Sequence, residues 1–479
     1  MKVLVTGASG YIGGRLVARL LADGHQVRCM ARDPSRLEGR MWQGVEIVSG
    51  DALVAESLDP AVAGIDAAYY LIHSLAAGEA GFQDKDLAAA RNFGAAALRA
   101  GVRQVIYLGG LGDAHTALSK HLRSRHETGD ALRATGVSVT EFRAAVIVGS
   151  GSLSFEMVRY LTERVPVMIT PRWVNTRCQP IAVRDVISYL ASALDHPESR
   201  GRIFEIGGPD VLTYGEMMLG YARMRGLRRW LVPVPVLTPR LSSYWVDLVT
   251  PIPKTYARTL VAGMSNEVIV RDDAAARLFR VPATPYAEAV KLALGRIERG
   301  EVETSWVDSF PSSPRQPGVS LEEREGRVFE RRTVSVAASA GRVFDVFSGI
   351  GGRRGWFHAT TLWHLRGLLD RLVGGVGMRR GRRHPDELRS GDALDFWRVE
   401  SVEPGRSLRL RAEMKVPGRA WLVFEVRDEG AGRSRMVQTA VFEPRGLFGV
   451  LYWYSLYPIH QVIFSGMADA IRRRAEAAR

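Results

Sequence analysis

Three glycines at three-residue spacing, Gly7, Gly10 and Gly13, are the residues of this chain best suited to hold phosphate. They follow Lys2-Val3-Leu4-Val5-Thr6, a short β-branched apolar run that reads as a buried parallel strand. They precede Ile12, Leu16, Val17 and Leu20, which recur at helical spacing. Strand, glycine turn and helix open a nucleotide-binding βαβ unit. The first glycine permits the tight turn, the second leaves bare backbone for a pyrophosphate, and the third lets helix and strand pack closely. The first helical turn adds N–H groups without intrahelical partners and the positive end of a dipole. Dinucleotide binding is the chemistry expected, because strand and helix are both present. Three glycines alone would suit a turn without ligand.

The end of the next strand, from Val27 to Ala31, selects between dinucleotides. A carboxylate there hydrogen-bonds the adenosine ribose and favours NAD. Here Ala31 is followed by Arg32, with Arg36 one turn on. A guanidinium fork suits a 2′-phosphate, so NADP is expected. Asp33 beside them keeps NAD open, and in an Arg-rich chain the two arginines could simply be solvated. Further strands are expected at 45–48, 65–72, 105–108 and 137–143, alternating with helices such as 87–100. That alternation predicts an α/β Rossmann-type parallel sheet with helices on both faces.

The form Thr6-Gly-Ala-Ser-Gly-Tyr-Ile-Gly13 resembles the extended and atypical short-chain dehydrogenase/reductase (SDR) families, including their NmrA-like branch. The resemblance runs to about residue 300. It implies that Gly7, Ser9, Gly10, Tyr11, Ile12 and Gly13 cradle the cofactor and that Asp51, at the end of strand three, contacts the adenine. It also places Leu71, Ile72 and His73 along the cofactor, with Gly109 at the end of strand five; capping the loop is an equal role for His73. Such enzymes use Tyr-x-x-x-Lys, and this chain departs from that pattern. His121 stands at the Tyr place and Arg125 at the Lys place. A His is a general acid near neutral pH, and Arg125 could bind ribose but could not give up its proton. A purely structural helix is the alternative. Residues 151–300 resemble a substrate lobe. Their apolar stretch 231–253 is expected either to wall an apolar substrate pocket or to be plain core. Thr213-Tyr-Gly-Glu216 reads as a capping box.

The expected domains are 1–307, a Pro/Ser-rich linker at 308–325, and an α+β domain at 326–479. The last has consecutive strands and a final helix at about 451–474, and it resembles the helix-grip (START-like, SRPBCC) superfamily. That resemblance implies a hydrophobic cavity for a lipid or quinone, although aromatics such as Trp356, Trp363, Trp397 and Trp453 would equally make a solid core.

Composition narrows the rest. Lys+Arg 65 against Asp+Glu 51 gives a net charge of +14, but the excess is spread evenly, so no nucleic-acid partner is expected. The run from Arg379 to His384 suits either a solvated loop or a phosphate-bearing partner. Two cysteines allow no disulfide framework, no zinc-ligand spacing stands out, and a strand at Lys2 leaves no room for a signal peptide, so a cytoplasmic protein without metal is expected. Residues 447–468 carry no charge, but Pro458, His460 and Gln461 argue against a transmembrane segment. The expected function is an NADP(H)-binding oxidoreductase of the atypical SDR type acting on a small apolar molecule. Its rivals are a non-catalytic NADPH-binding regulator or assembly factor, and a lipid or quinone carrier acting through the C-terminal domain.

Overall fold

The first strand, β1 (Lys2–Thr6), buries Val3, Leu4 and Val5 completely, as a continuous apolar run covered on both faces must. It sits mid-sheet with β2 (Gln26–Ala31), β3 (Glu46–Ser49), β4 (Ala67–Tyr70), β5 (Gln104–Gly110) and β6 (Val139–Ala144). The order across the sheet is Ile203–Ile206, β6, β5, β4, β1, β2, β3, all parallel. The strand order reverses between β1 and β4, which opens a crevice at their carboxyl ends. Thr6 fixes that crevice: its hydroxyl donates to Tyr69 O (2.9 Å) and accepts from Leu71 N (3.1 Å). The same bond ends β4 before the expected residue 72, because the Leu71 amide is taken by a side chain and not by a neighbouring strand.

The structure is a computed structural model. It describes residues 1–477 apart from 35–36, 38–39, 41, 74–81, 114–115, 235–249, 251, 253, 300–303, 305–318, 325, 352–353, 373–376, 378–381 and 383–386. The chain divides into two compact units, Met1–Pro311 and Ser312–Arg479. In the first, a second core of Phe155, Met157, Val174, Tyr214, Met217, Tyr221 and Val290 lies among the helices Leu153–Arg164, Tyr214–Met224 and Tyr286–Arg299. The capping box is present: Thr213 Oγ1 accepts from Glu216 N (3.1 Å), and Thr213 N donates to Glu216 Oε2 (2.7 Å). Of the apolar stretch 231–253, Ile252 is buried in this core and Leu231 packs on it; 235–249, 251 and 253 lie outside the described residues.

The C-terminal unit is a seven-stranded antiparallel sheet in the order Val319–Arg324, Arg327–Val336, Arg433–Pro444, Gly418–Gly430, Ser407–Ala412, Trp397–Glu403, Ala393–Leu394. The helix Gly446–Ala477 packs on the strands Arg327–Val336 and Arg433–Pro444, which is a helix-grip arrangement. Two expectations need correction. Residues 319–324, expected in the linker, form the edge strand. The Arg324–Arg327 pair closes a tight hairpin in which Gly326 takes φ +74°, a turn that Glu-Gly signals less strongly than Asn-Gly or Asp-Gly. The strand expected from Leu394 to Val402 breaks at Asp395, held at φ +53° while its Oδ2 accepts from Trp356 Nε1 (2.8 Å). On the helix Thr360–Leu372, the face with Leu365 and Leu372 is exposed (51% and 75%), while Trp363 and Asp370 are buried. Among the described residues no helix is long and apolar enough to cross a membrane. Of the Arg379–His384 run, Arg382 is described; it donates to Ser348 O (2.6 Å) and Ile350 O (2.9 Å), which is a structural role.

Candidate active site

The glycine turn is built as a phosphate cradle. Gly7 takes φ +68°, and a Cβ there would lie 2.6 Å from Leu71 O, so only glycine joins β1 to the helix Tyr11–Ala22 beside β4. Gly10 is the N-cap and offers no side chain to cap the helix. The N–H groups of Ile12 and Gly13 in the first turn therefore find no acceptor within the helix itself. Among the described residues, a Cβ on Gly10 would meet only Gly7 O, at 3.2 Å. A pyrophosphate fits this bare backbone and this dipole end.

The cradle forms one wall of a pocket of about 360 Å³ over the ends of β1, β4, β5 and β6. Gly7, Gly10, Tyr11, Ile12, Gly13, Leu71, His73, Gly109, His121 and Arg125 all line it, although they are scattered over 119 positions of sequence. Ser9, Arg32, Asp51 and Ile72 are not among the described residues on its wall. Arg32 is exposed just past β2, and Arg36 lies outside the described residues. Asp51 folds back on its own turn, with Oδ1 accepting from Leu53 N (3.0 Å). The opposite wall comes from the second core and its flanks, including Leu153, Tyr214, Leu260, Met264 and Val268, and is largely apolar.

The helix Lys120–Arg133 delivers His121 and Arg125. Ser119 caps it, its hydroxyl accepting from Leu122 N (3.3 Å). The helix is bolted to β5 at three points: Tyr107 Oη donates to Arg125 O (2.9 Å), Arg125 Nη2 donates to Leu108 O, and His126 Nε2 meets Gly110 O (3.0 Å). Arg125 is thus a fixed cation at the floor of the pocket. The His73 and His121 rings lie 5.1 Å apart. His73 Nδ1 faces Asp86 Oδ2 at 3.5 Å, and His73 Nε2 and His121 Nδ1 are buried without a hydrogen-bond partner among the described residues. Burial, then the neighbouring His73 and Arg125, hold His121 well below the usual histidine range. Burial and Arg125 lower His73 as well, against the opposing pull of Asp86. Both rings are neutral at pH 7, so His121 offers a neutral imidazole and not an imidazolium.

Asp86 was invisible to motif reading, yet the sequence carried a signal for it. It falls in register with Ala89, Ala90 and Phe93, all buried, and a carboxylate in the apolar stripe of a helix needs a partner. Tyr107, which holds the helix through its hydroxyl, gave no such signal within a continuous apolar strand.

Sheet order, phosphate cradle and the apolar chamber above it define a Rossmann-type NAD(P)H-binding unit. Comparison with known proteins agrees. The NAD(P)H-binding family model matches residues 7–159, and residues 327–467 match a family described as of unknown function, DUF2867. The (4-alkanoyl-5-oxo-2,5-dihydrofuran-3-yl)methyl phosphate reductase of Streptomyces griseus is 31% identical over 234 residues, 47% of this chain and 74% of that protein. The photosystem II assembly factor Ycf39 of Cyanophora paradoxa is 24% identical over 239 residues, covering 49% of this chain and 72% of that one. The Citrobacter sp. triphenylmethane reductase, solved in complex with NADP(H), shares the fold with a TM-score of 0.50 at 22% identity, over 61% of this chain and 100% of that one. The chain belongs to the NAD(P)H-binding family that includes the Streptomyces reductase.

The C-terminal unit has a pocket of its own, about 190 Å³, between the helix Thr360–Leu372, the concave sheet face and the helix Gly446–Ala477. Its wall is largely apolar, with Arg366 and His460 among the described residues that are not. Burial, then Arg332 and Arg366, lower the His460 ring to about 4. The unfolded chain protonates this ring near 6.5, so its neutral burial contributes full stability above pH 6.5, lost as pH falls toward 4. Across that window wild type should lose about 3 kcal/mol more than His460→Gln, read from urea unfolding at stepped pH. Parallel losses in the two proteins would remove His460 as the cause.

Proposed function

We propose that the N-terminal unit is an NADPH-dependent reductase of a small, largely apolar molecule. The observation that carries this reading is the convergence, on one pocket, of a phosphate cradle, a fixed cation, a neutral imidazole and an apolar wall. NADPH, when bound, would supply hydride. The chain's own residues would do the rest. Gly10 and the first helical turn would hold the pyrophosphate, Arg125 would hold the nicotinamide ribose, and Arg32 would take the 2′-phosphate. The His121 N–H would hydrogen-bond the substrate oxygen as a neutral donor, with the proton drawn from water. Leu153, Leu260 and Met264 would exclude bulk water from that bond. The expected sites Ser9, Ile72, His73 and Asp51 complete the proposed cofactor set; His73, oriented by Asp86, would position His121.

The rival reading, a non-catalytic NADPH-binding assembly factor, draws support from the absence of the Tyr and Lys pair and from the Ycf39 relative. In the C-terminal unit, a START-like carrier of a lipid or quinone is supported by the 190 Å³ cavity. Cofactor choice is tested by titration. Arg32→Ala should weaken NADPH about tenfold or more and leave NADH within about twofold, since a charged hydrogen-bond pair is lost only with the 2′-phosphate. Equal affinities for the two cofactors in wild type, unchanged by the substitution, would contradict the assignment.

A further inference from the structure

The C-terminal unit carries an apolar face that its own core does not use. The helix Thr360–Leu372 is turned inside out. Trp363, Gly367 and Asp370 are buried, while Leu365, Leu368, Leu369 and Leu372 are 48–75% exposed. A leucine stripe at helical spacing normally seals a helix to its core. Here the core takes the aspartate instead: Asp370 Oδ2 accepts from Gly377 N (2.9 Å) and Oδ1 from Lys415 N (2.6 Å). The helix Gly446–Ala477 repeats the pattern over its first half. Trp453, Ile463 and Phe464 are buried, yet Phe448, Leu451, Ile459 and Val462, on the other side, are 46–72% exposed. The two helices are neighbours. They share the wall of the 190 Å³ cavity, and the Trp363 and Phe464 rings lie 6.2 Å apart. Leu365, Leu369 and Ile459 both line the cavity and face outward, so its mouth opens within the apolar face. Single exposed leucines are ordinary; a continuous apolar face over two helices marks a contact.

Charge indicates the other side of that contact. From Leu447 to Ala468 the sequence has no charged residue, and residues 360–384 carry six arginines against one aspartate, the buried Asp370. Arg366 stands within the leucine face, on the cavity wall, and donates to Lys415 O (3.2 Å). The Lys415 side chain is exposed, as is Arg445 at the start of the second helix. The acids two residues from these, Glu413 and Glu443, are already held, the first by Arg398 and the second by Arg327 and Arg419. We propose that this face docks the protein on an anionic lipid surface. Leucines and Phe448 enter the acyl boundary, and the basic side chains stay at the headgroups, with the Arg366 stem covering apolar surface. The helices lie in the interface plane; among the described residues none is long and apolar enough to cross a bilayer. A second copy of the chain fits the face less well, because a twofold contact would lay the arginines of one face against those of the other.

This inference is independent of the reductase and carrier readings. It is tested by flotation of the full chain with vesicles of phosphatidylcholine alone and of phosphatidylcholine with about 30% phosphatidylglycerol. Binding to the anionic vesicles should be about tenfold tighter or more at ~0.1 M salt, and should weaken at ~0.5 M. Leu372→Glu and Phe448→Glu, one on each helix, should each weaken it about tenfold or more while urea unfolding and NADPH binding stay as in wild type. Leu292→Glu, at an exposed leucine of the N-terminal unit, should leave it unchanged. If one variant does not fold, the other, on a separate helix, decides. Absence of binding by the folded wild-type chain, equal binding to both kinds of vesicle, or binding unchanged in the folded variants overturns the proposal. A wild-type dimer that these variants dissociate, without vesicle binding, overturns it in favour of a second copy.

Discussion

Gly10→Ala should lose NADPH affinity by about 100-fold or more while unfolding within about 1 kcal/mol of wild type, whereas Gly13→Ala, three residues on, should cost about 3 kcal/mol or more of stability. The difference follows from what a single methyl group would meet. At Gly10 the backbone is extended (φ −83°, ψ 178°), a conformation alanine adopts freely, and among the described residues the added Cβ approaches only Gly7 O at 3.2 Å. The methyl would project where a pyrophosphate must touch bare backbone, so it harms binding and spares the fold. At Gly13 the Cβ would lie 2.2 Å from Gly7 O, 2.8 Å from Gly7 C and 2.9 Å from Ala8 Cα. All three are backbone atoms of the strand-to-helix turn, and none can swing aside as a side-chain tip would. Fluorescence titration with NADPH beside urea unfolding reads both effects. Gly10→Ala that binds normally would remove the phosphate from this turn, and a stable Gly13→Ala would show that the helix has room to move from the strand.

His121→Phe should lower turnover by 10²- to 10⁴-fold and leave the NADPH dissociation constant within about threefold, because the ring would touch substrate and not the pyrophosphate. The pH profile adds a second reading. An imidazolium acid of ordinary strength would lose activity as pH rises through 6.5. Burial beside His73 and Arg125 keeps His121 neutral throughout that range, so the wild-type rate should be flat from about pH 6 to 8 as far as this group is concerned. A tenfold fall per pH unit above 6.5 that disappears in His121→Phe would show an imidazolium, and unchanged turnover in the variant would take His121 out of the chemistry.

The cradle was legible in the sequence because its determinants are local: a strand, three glycines and a helix within twenty-two residues. The sheet was legible for the same reason, since each strand announces itself by its own apolar run. His121 and Arg125 were found through spacing on one helix, but their surroundings were not. Asp86, Tyr107 and the Leu108 carbonyl come from other elements, and what they do to His121 depends on packing that no local pattern encodes. The C-terminal unit shows the same divide. Its alternating strands were readable, while the Val319–Arg324 edge strand was hidden by a weak turn signal and the break at Asp395 by a hydrogen bond from Trp356, thirty-nine residues away in sequence. Whether the tryptophans there make a solid core or wall a cavity could not be decided from composition, because both need the same residues.

The central claim is that this chain turns NADPH over and does not merely hold it. The most direct measurement is NADPH oxidation, followed at 340 nm, with the full chain against a panel of apolar ketones, enones and quinones, with Gly10→Ala as the control that cannot seat the cofactor. The account predicts oxidation with at least one compound of the panel and none in the control. Stoichiometric NADPH binding by wild type with no oxidation across the panel would contradict it and leave the assembly-factor reading standing.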